Sequence, residues 1–243
     1  MVDARLVDPM NELNELVRKL ENAFSGGLVS VILYGSGASG QHHANFSDLN
    51  VLCVLKQITP RELAESEPVM RWWRGLGHPS PLLMSEEEAH NSADSFPIEF
   101  RDMHDHRKVL YGIDVIAGIE VDPKFYRAQL EHELRAKLFR LRQQAAGVLS
   151  DQAALMRLCL DSVSTFCVLG RHALLVAGVE AKADRRAMAG QFGTVLKLDA
   201  RPFETLLDIR EGNKGVAPDD PADLFAAYLE SIRKMVEFVD RQG

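Results

Sequence analysis

The residues best suited to chemistry in this sequence stand at the ends of two short apolar runs, 28–34 and 49–55. They are Gly35 and Ser36 after the first run, and Ser47, Asp48 and Asn50 around the start of the second. Glycine lets the backbone come close to a ligand, and serine can donate its hydroxyl and backbone N–H to phosphate oxygens. Carboxylate and amide oxygens are ligands for magnesium. The two segments therefore predict a site for phosphate groups and a divalent cation.

Two better-known phosphate-binding patterns depend on glycines in this loop, and neither fits the chain. The loop glycines are Gly35, Gly37 and Gly40. A dinucleotide fingerprint needs its glycines to open a helix that crosses back over the sheet, but only the polar stretch 41–48 precedes the next apolar run. A P-loop needs lysine and then serine or threonine after its last glycine, where this chain has Gln41 and His42. Both patterns are therefore set aside.

The arrangement of the two segments resembles the nucleotidyltransferase superfamily of polymerase-β type, particularly its small bacterial and antibiotic-modifying members. There an apolar strand is followed by Gly-Ser, a polar loop, and then an acid, an apolar residue and a second acid that enter the next strand. The resemblance covers about residues 1–120. The residues that it implies for nucleotide binding are Gly35, Ser36 and Ser47, and those for metal binding are Asp48 and Asn50, with Asp48 also implied as a catalytic residue. It further implies Mg²⁺ or Mn²⁺, ATP or another NTP, and transfer of a nucleoside monophosphate to a hydroxyl of a small molecule or protein.

Strand alternation predicts how the second segment presents its side chains. Residues 48 and 50 are two apart, so Asp48 and Asn50 point to the same face and can meet one metal cluster, while Leu49 and Val51 face the core.

The resemblance also implies a third acid on a later strand, which ligates metal and acts as a base toward the acceptor hydroxyl. We predict that strand over residues 96–103, where Phe100 and its neighbours alternate with charged residues. On such a strand Glu99 leaves the apolar face and points into the cleft, whereas Asp102 lies on the opposite face. Glu99 is therefore the favoured catalytic and metal-binding residue, and Asp102 is the reserve candidate.

Asn50 departs from the pattern of the superfamily, because most of its active members have an aspartate at this position. An amide oxygen can ligate a divalent ion but brings no charge, so the metal affinity of the site should fall. Two outcomes agree with this substitution. The protein is either a transferase that works with one magnesium carried in by the nucleotide, or a module that binds nucleotide and no longer turns it over.

Apolar periodicity predicts an α/β (α+β) fold, in which a mixed sheet with flanking helices is followed by an all-α bundle. The predicted order through residue 120 is helix, strand, strand, helix, strand, helix, strand, strand. Thr59 and Glu62 have the spacing of a capping box and so mark the start of the second helix. Beyond residue 120, apolar residues recur at three- and four-residue intervals, which predicts four or five helices. We expect a nucleotidyltransferase-like domain over 1–120 and a helical bundle domain over 121–243.

The composition favours a small-molecule partner. A formal net charge of −7 and a pI near 5.6 argue against a broadly basic surface for nucleic acid. The cysteines Cys53, Cys159 and Cys167 are too widely spaced for a zinc cluster and are predicted as buried thiols. No basic start precedes an apolar run, and no stretch approaches the roughly 18 apolar residues of a membrane span, so we expect a cytoplasmic protein. The oligomeric state stays open, with a homodimer as one option.

Overall fold

The computed structural model describes residues 9–38, 49–213 and 220–242. The chain divides into two compact units, Met1–Asp122 and Pro123–Gly243. The first unit has a four-stranded sheet with helices on both faces, and the second is helical. The predicted α/β class with a mixed sheet and a C-terminal helical region is confirmed.

The elements of the first unit are α1 (Pro9–Phe24), β1 (Leu28–Tyr34), a 3₁₀ turn (Gly35–Gly37), β2 (Asn50–Leu55), α2 (Pro60–Gly75), β3 (Leu82–Ser85), α3 (Glu86–Asn91), α4 (Pro97–Asp105) and β4 (Arg107–Gly112). Those of the second unit are α5 (Pro123–Ala146), α6 (Gln152–Val176), α7 (Arg185–Val195), α8 (Arg201–Arg210) and α9 (Pro221–Asp240).

The sheet is mixed, with the strand order β3-β2-β1-β4. β1 pairs antiparallel with both β2 and β4, and β2 pairs parallel with β3. Since β1 and β2 run antiparallel, they cannot form the parallel βαβ unit that a dinucleotide fingerprint requires. The strand pairing therefore removes that pattern on structural grounds.

Alternate residues of β1 and β2 build one apolar core on each face of the sheet. On the face that packs against α1 and α2, called the α1–α2 face, they are Val31, Leu33, Val51, Cys53 and Leu55. On the face that packs against α3 and α4, called the α4 face, they are Ile32, Leu52 and Val54, with Tyr34 packed against them. Leu49 and Val51 lie in the first core, which confirms their predicted direction. Asn50 alternates with Val51 and so belongs to the α4 face.

The strand predicted over residues 96–103 is wrong. Phe96 is the N-cap of a helix, α4, and the rest of the segment lies within that helix. Pro97 fits the first turn of a helix, where a backbone N–H has no intrahelical partner. Phe100 and Met103, three residues apart, are both fully buried in the core of the α4 face. Over so few residues an apolar pattern fits either period, and the burial of this pair selects the helix.

The second unit is organised around α6, which contacts α5, α7, α8 and α9. Its described residues form five helices, within the predicted number. Among the described helices, α6 is the one long and apolar enough to cross a membrane, by length and composition alone. The expectation that no stretch approaches this limit was therefore wrong, although α6 packs here among four other helices.

All three cysteines are buried, as predicted. Burial raises the pKa of Cys53 and of Cys167 to about 12, and that of Cys159 to about 11. At neutral pH these side chains are thiols, and a thiol is neither the nucleophile nor the metal-binding form of cysteine. None of the three cysteines is therefore a candidate nucleophile or metal ligand.

Candidate active site

Gly35, directly after β1, has a left-handed backbone with φ of 73°. Its N–H donates to the carbonyl of His106 at 3.0 Å, and its own carbonyl accepts from the N–H of Ala38 at 3.0 Å. A Cβ atom at this position would lie 3.5 Å from the side-chain nitrogen of Asn50. The Gly35 backbone is thus fixed between the residue that follows α4 and the amide of Asn50, in a conformation that glycine adopts without strain.

Three neighbouring strands bring Tyr34, Asn50 and Arg107 together at this end of the sheet. Tyr34 pairs with Asn50 of β2 on one side and with Arg107 of β4 on the other. Tyr34 packs against the core of the α4 face, and Asn50 is half-buried. The α4 face therefore ends in polar side chains at this end of the sheet, next to the apolar residues Ile32, Leu52 and Val54.

Glu99 and Asp102 lie on α4, the helix that covers this face. Because Phe100 and Met103 are buried in the core, the two acids, three residues apart, share an adjacent stripe of the helix surface. Glu99 is exposed and Asp102 is half-buried. The expectation that these acids point to opposite faces is wrong, because it assumed the two-residue period of a strand.

Hydrogen bonds of the Arg107 side chain hold the C-terminal end of α4 in place. The guanidinium donates through Nε to both carboxylate oxygens of Asp114, at 3.0 and 2.9 Å, and through its terminal nitrogen to the carbonyl of His104. One N–H is thus shared between both oxygens of the carboxylate, in a charge-assisted interaction that is stronger than a hydrogen bond between neutral groups. Arg107 therefore fixes the last turn of α4 beside the end of β1.

The acids and the phenol of Tyr34 act on one another electrostatically. Burial raises the pKa of Tyr34, and the negative charges of Glu99 and then Asp102 raise it further. Both effects disfavour the phenolate, so Tyr34 stays protonated at neutral pH and keeps an O–H to donate. Both carboxylates therefore act electrostatically on Tyr34, which pairs with Asn50 and directly precedes Gly35.

A comparison with solved structures finds the same architecture in a spectinomycin adenyltransferase from Enterococcus faecialis, in a crystal structure with ATP and spectinomycin. The TM-score is 0.59 at 11% identity, and the match covers 92% of this chain and 99% of that one. The chain has a nucleotidyltransferase-type fold. No protein-family model matches the sequence, and no curated protein matches it. At 11% identity the likeness establishes the fold alone.

Within this nucleotidyltransferase-type fold, two of the predicted site residues, Gly35 and Asn50, meet at one end of the sheet. A third, Glu99, lies on α4, the helix that contacts the Gly35–Gly37 turn. Ser36 contributes its backbone to the 3₁₀ turn, and its side chain lies outside the part of the chain that is described. Ser47 and Asp48 also lie outside the described residues, so their predicted roles rest on the sequence.

The oxygen ligands at this end of the sheet suit magnesium or manganese. Those within the described residues are the amide of Asn50 and the carboxylates of Glu99 and Asp102. In the described ranges, no three side chains of histidine, cysteine, aspartate or glutamate are grouped to hold a metal ion by themselves. Mg²⁺ commonly binds through one or two carboxylates, with substrate phosphates and water completing the shell. The ligand set thus fits a cation that arrives with a nucleotide.

Reasoning from the sequence overlooked Tyr34, the shared stripe of Glu99 and Asp102, and the contact between His106 and Gly35. The stripe could have been found, because Pro97 followed by Phe100 and Met103 is also the pattern of a short amphipathic helix. The contact of His106 with Gly35 gave no local signal. It joins residues far apart in the chain through backbone atoms, which every residue type has.

Proposed function

We propose that this protein transfers a nucleoside monophosphate from ATP, or another NTP, to a hydroxyl of a small molecule in the cytoplasm, and releases pyrophosphate. The observation that carries the proposal is the meeting of Gly35 and Asn50 at the end of the sheet where α4, the helix with Glu99 and Asp102, contacts the Gly35–Gly37 turn. The fold likeness to an adenyltransferase whose structure holds ATP supports nucleotidyl transfer as the reaction class.

We assign the triphosphate to the turn that follows β1. The N–H of Gly35 already donates to His106, so Gly35 serves by letting the chain approach the nucleotide closely. The donors to phosphate oxygens are then the backbone N–H and hydroxyl of Ser36, together with Ser47. Tyr34, protonated beside them, is a further donor.

We assign the divalent cation to Asp48, Asn50 and Glu99. Bound there, Mg²⁺ or Mn²⁺ would offset the negative charge of the triphosphate and of the departing pyrophosphate. Asn50 contributes an oxygen without charge, and the carboxylates supply the negative charge that attracts the cation.

Glu99 is assigned as the general base. It accepts the proton of the acceptor hydroxyl while that oxygen attacks the α-phosphorus. The new P–O bond forms as the bond from the α-phosphorus to the bridging oxygen breaks, and pyrophosphate leaves with the electron pair. Positioning such a base contributes about 10²–10⁴-fold to a rate. The exposure of Glu99 suits this role, since the acceptor has to reach it from solvent.

The acceptor is assigned to the class of small molecules. The adenyltransferase of the same fold holds spectinomycin, a small molecule, in its crystal structure. A net charge of −7 does not favour a nucleic-acid acceptor. A protein acceptor is the less favoured choice, because no observation points to it.

One observation favours a second function, a module that binds nucleotide without turning it over. Asn50 stands where the superfamily pattern has an acid, and the loss of a carboxylate weakens a magnesium site. Such a module would bind the nucleotide through the same contacts but would not transfer its nucleoside monophosphate.

Calorimetric titration with ATP, with and without Mg²⁺, combined with an assay for pyrophosphate release separates the two functions. The assay includes a panel of hydroxyl-bearing small molecules, with spectinomycin among them. Binding with acceptor-dependent release supports the transferase, and binding without release supports the module. The absence of ATP binding would exclude both. Asp105→Asn, which changes an acid on the same helix that pairs with Arg101 at 2.8 Å, is the matched control.

Asn50→Asp gives a second, sharper measurement. If the wild-type protein releases no pyrophosphate and the variant does, the natural site has lost activity through the loss of the carboxylate. If the variant loses an activity that the wild type has, the amide is an adapted ligand.

A further inference from the structure

We infer that Arg107 is a positioning residue for the proposed base, because it ties the last turn of α4, the helix of Glu99, to the sheet. The inference rests on the proposed function, in which Glu99 accepts the proton of the acceptor hydroxyl. Arg107 contacts neither the nucleotide nor the acceptor in this role.

The first turn of α4 is held differently from those of α2 and α3. Each of these three helices has a glutamate as its third residue, namely Glu62, Glu88 and Glu99. In α2 and α3 this carboxylate closes a capping box with the N-cap residue. In α4 the N-cap is Phe96, which has no side-chain acceptor and whose N–H donates to the carbonyl of Ser92 at 2.9 Å. The Glu99 carboxylate is therefore not used to cap its own helix, and no side-chain cap sets the direction of the first turn.

The last turn of α4 is held by Arg107. The backbone of Arg107 pairs with Tyr34 in the sheet, and its side chain reaches back to donate to the carbonyl of His104. Nε of the same guanidinium donates to both carboxylate oxygens of Asp114, at 3.0 and 2.9 Å. Asp114 also accepts from the N–H of Ile116 at 3.2 Å, and Ile116 is fully buried in the core of the α4 face. One guanidinium thus joins the end of α4 to both the sheet and the core.

The length of α4 makes this anchor important for the position of Glu99. The burial of Phe100 and Met103 fixes which side of α4 meets the sheet, but a nine-residue helix can still tilt about two neighbouring side chains. His104 lies five residues, about 7.5 Å along the axis, from Glu99. A tilt of about 10° displaces these two positions by about 1 Å relative to each other. A catalytic group misplaced by about 1 Å can lose about 10²-fold in rate.

Arg101 provides a contrast on the same helix. It pairs with Asp105 at 2.8 Å, and because both residues belong to α4, this ion pair joins the helix only to itself. The Arg101 side chain is 45% exposed, whereas that of Arg107 is 19% exposed. Water screens an exposed pair more strongly. We therefore expect Arg107, and not Arg101, to affect the proposed reaction.

The first test is the steady-state kinetics of Arg107→Lys. Lysine keeps the positive charge, but its single ammonium cannot reproduce the fork with which the guanidinium holds Asp114 and the carbonyl of His104. The turnover number for pyrophosphate release should fall at least about tenfold. The dissociation constant for ATP should change less than about twofold, because the Gly35 turn keeps its backbone hydrogen bond to His106.

A matched control and a second variant accompany this measurement. The control Arg101→Lys should leave both constants within about twofold of the wild type. Asp114→Asn covers the case in which Arg107→Lys does not fold, because it leaves the guanidinium in place and weakens its hold. Its turnover number should fall in the same direction by a smaller factor. Circular dichroism spectra establish which variants are folded, and an unchanged turnover number in a folded Arg107→Lys or Asp114→Asn overturns the inference.

A double-mutant cycle with Glu99→Gln separates positioning of the base from a general disturbance. If Arg107 acts through the base, Arg107→Lys should slow the Glu99→Gln protein by less than about twofold, since no base is left to misplace. Equal slowing in the two backgrounds would show that Arg107 acts on another part of the site, and would overturn the inference.

Amide hydrogen exchange gives a readout that needs no catalysis. In Arg107→Lys the N–H groups in the last turn of α4 should exchange at least about tenfold faster than in the wild type, because the anchored end opens more often. The same groups should keep their exchange rates in Arg101→Lys. Equal rates in Arg107→Lys and the wild type would mean that Arg107 does not hold this turn.

The inference and the proposed function fail in distinguishable ways. A wild-type protein that releases no pyrophosphate with any acceptor overturns the transferase function, and the positioning role with it. A wild type that releases pyrophosphate, with Arg107→Lys equally fast, overturns the inference alone.

Discussion

The α1–α2 face and the α4 face of the sheet are formed by alternate residues of the same strands, β1 and β2. On the α1–α2 face these residues are apolar along both strands, and Trp73 of α2 lies fully buried against them. On the α4 face the apolar residues give way to Tyr34 and Asn50, where α4 adds two acids. The α1–α2 face thus forms an apolar core along both strands, whereas the α4 face combines an apolar core with polar side chains at one end.

The difference shows how a small sheet can hold polar side chains at one end without losing its core. Desolvated polar groups destabilise a fold unless they are paired, so a polar cluster is tolerated best at the end of a strand. Tyr34 and Asn50 stand at the end of β1 and the start of β2, where the sheet meets the turn at Gly35. Stability and chemistry are therefore expected to separate between the two faces.

The largest effect on folding is expected from Trp73→Ala on the α1–α2 face. Trp73 is fully buried, its indole N–H donates to the carbonyl of Pro79 at 2.9 Å, and its ring packs on His78 at 4.2 Å. Truncation should lower the free energy of unfolding by about 3–5 kcal/mol, measured by urea denaturation. The control Trp72→Ala should lower the free energy of unfolding clearly less, because Trp72 is only half-buried. Equal losses would contradict the assignment of Trp73 to the core.

Glu99→Gln should separate chemistry from stability on the α4 face. Loss of the base should reduce pyrophosphate release at least about 10²-fold. Because Glu99 is exposed, the free energy of unfolding should change by less than about 0.5 kcal/mol. Rates measured under saturating ATP and acceptor, together with urea denaturation of the same sample, check both expectations. An unchanged rate would remove Glu99 from the role of base.

Gly35→Ala should produce an intermediate effect on both properties. At φ of 73° an alanine costs about 1–2 kcal/mol of stability, and its methyl group would contact the amide of Asn50. Gly26→Ala is the matched control, because Gly26 has φ of 87° at the other end of β1 and no heavy atom within 4 Å of the added Cβ. Both variants should lose similar stability, but ATP affinity should fall only in Gly35→Ala. A matching fall in Gly26→Ala would point to general destabilisation.

The smallest effect on stability is expected from Tyr34→Phe, and this effect on stability is confined to alkaline pH. The folded protein holds the Tyr34 proton more tightly than the unfolded chain, in which the pKa is near 10. The stabilisation is fully present below that pH and is lost as the pH rises through the raised pKa. The unfolding free energy of the wild type should therefore decline above pH 10 more steeply than that of Tyr34→Phe. Parallel declines in urea denaturation would mean that burial and the two acids do not act on Tyr34.

A related titration connects this effect to the acids. Glu99→Gln removes one of the charges that raise the pKa of Tyr34, so the pKa should move toward its ordinary value. The absorbance of the phenolate, compared between the wild type and Glu99→Gln, gives the direction of the change.

Local patterns in the sequence predicted much of the fold. The run 28–34 became β1 with the same bounds, and the capping box of Thr59 and Glu62 begins α2. The direction of Leu49 and Val51 followed from strand alternation. These features depend on residues within a few positions of each other, which is the range over which backbone propensity and periodicity act.

Only the tertiary structure decided what stands at the end of the α4 face. The segment with Phe100 and Met103 is too short for its period to be read, and its burial against the sheet made it a helix. That change placed Asp102 beside Glu99, and the hydrogen bond from Gly35 to His106 set the helix against the turn. The sequence by itself determined which residue types were available for the proposed phosphate and metal sites. Which carboxylates accompany Asn50 depended on contacts between segments about fifty residues apart, and such contacts form through core packing and backbone hydrogen bonds that leave no local pattern.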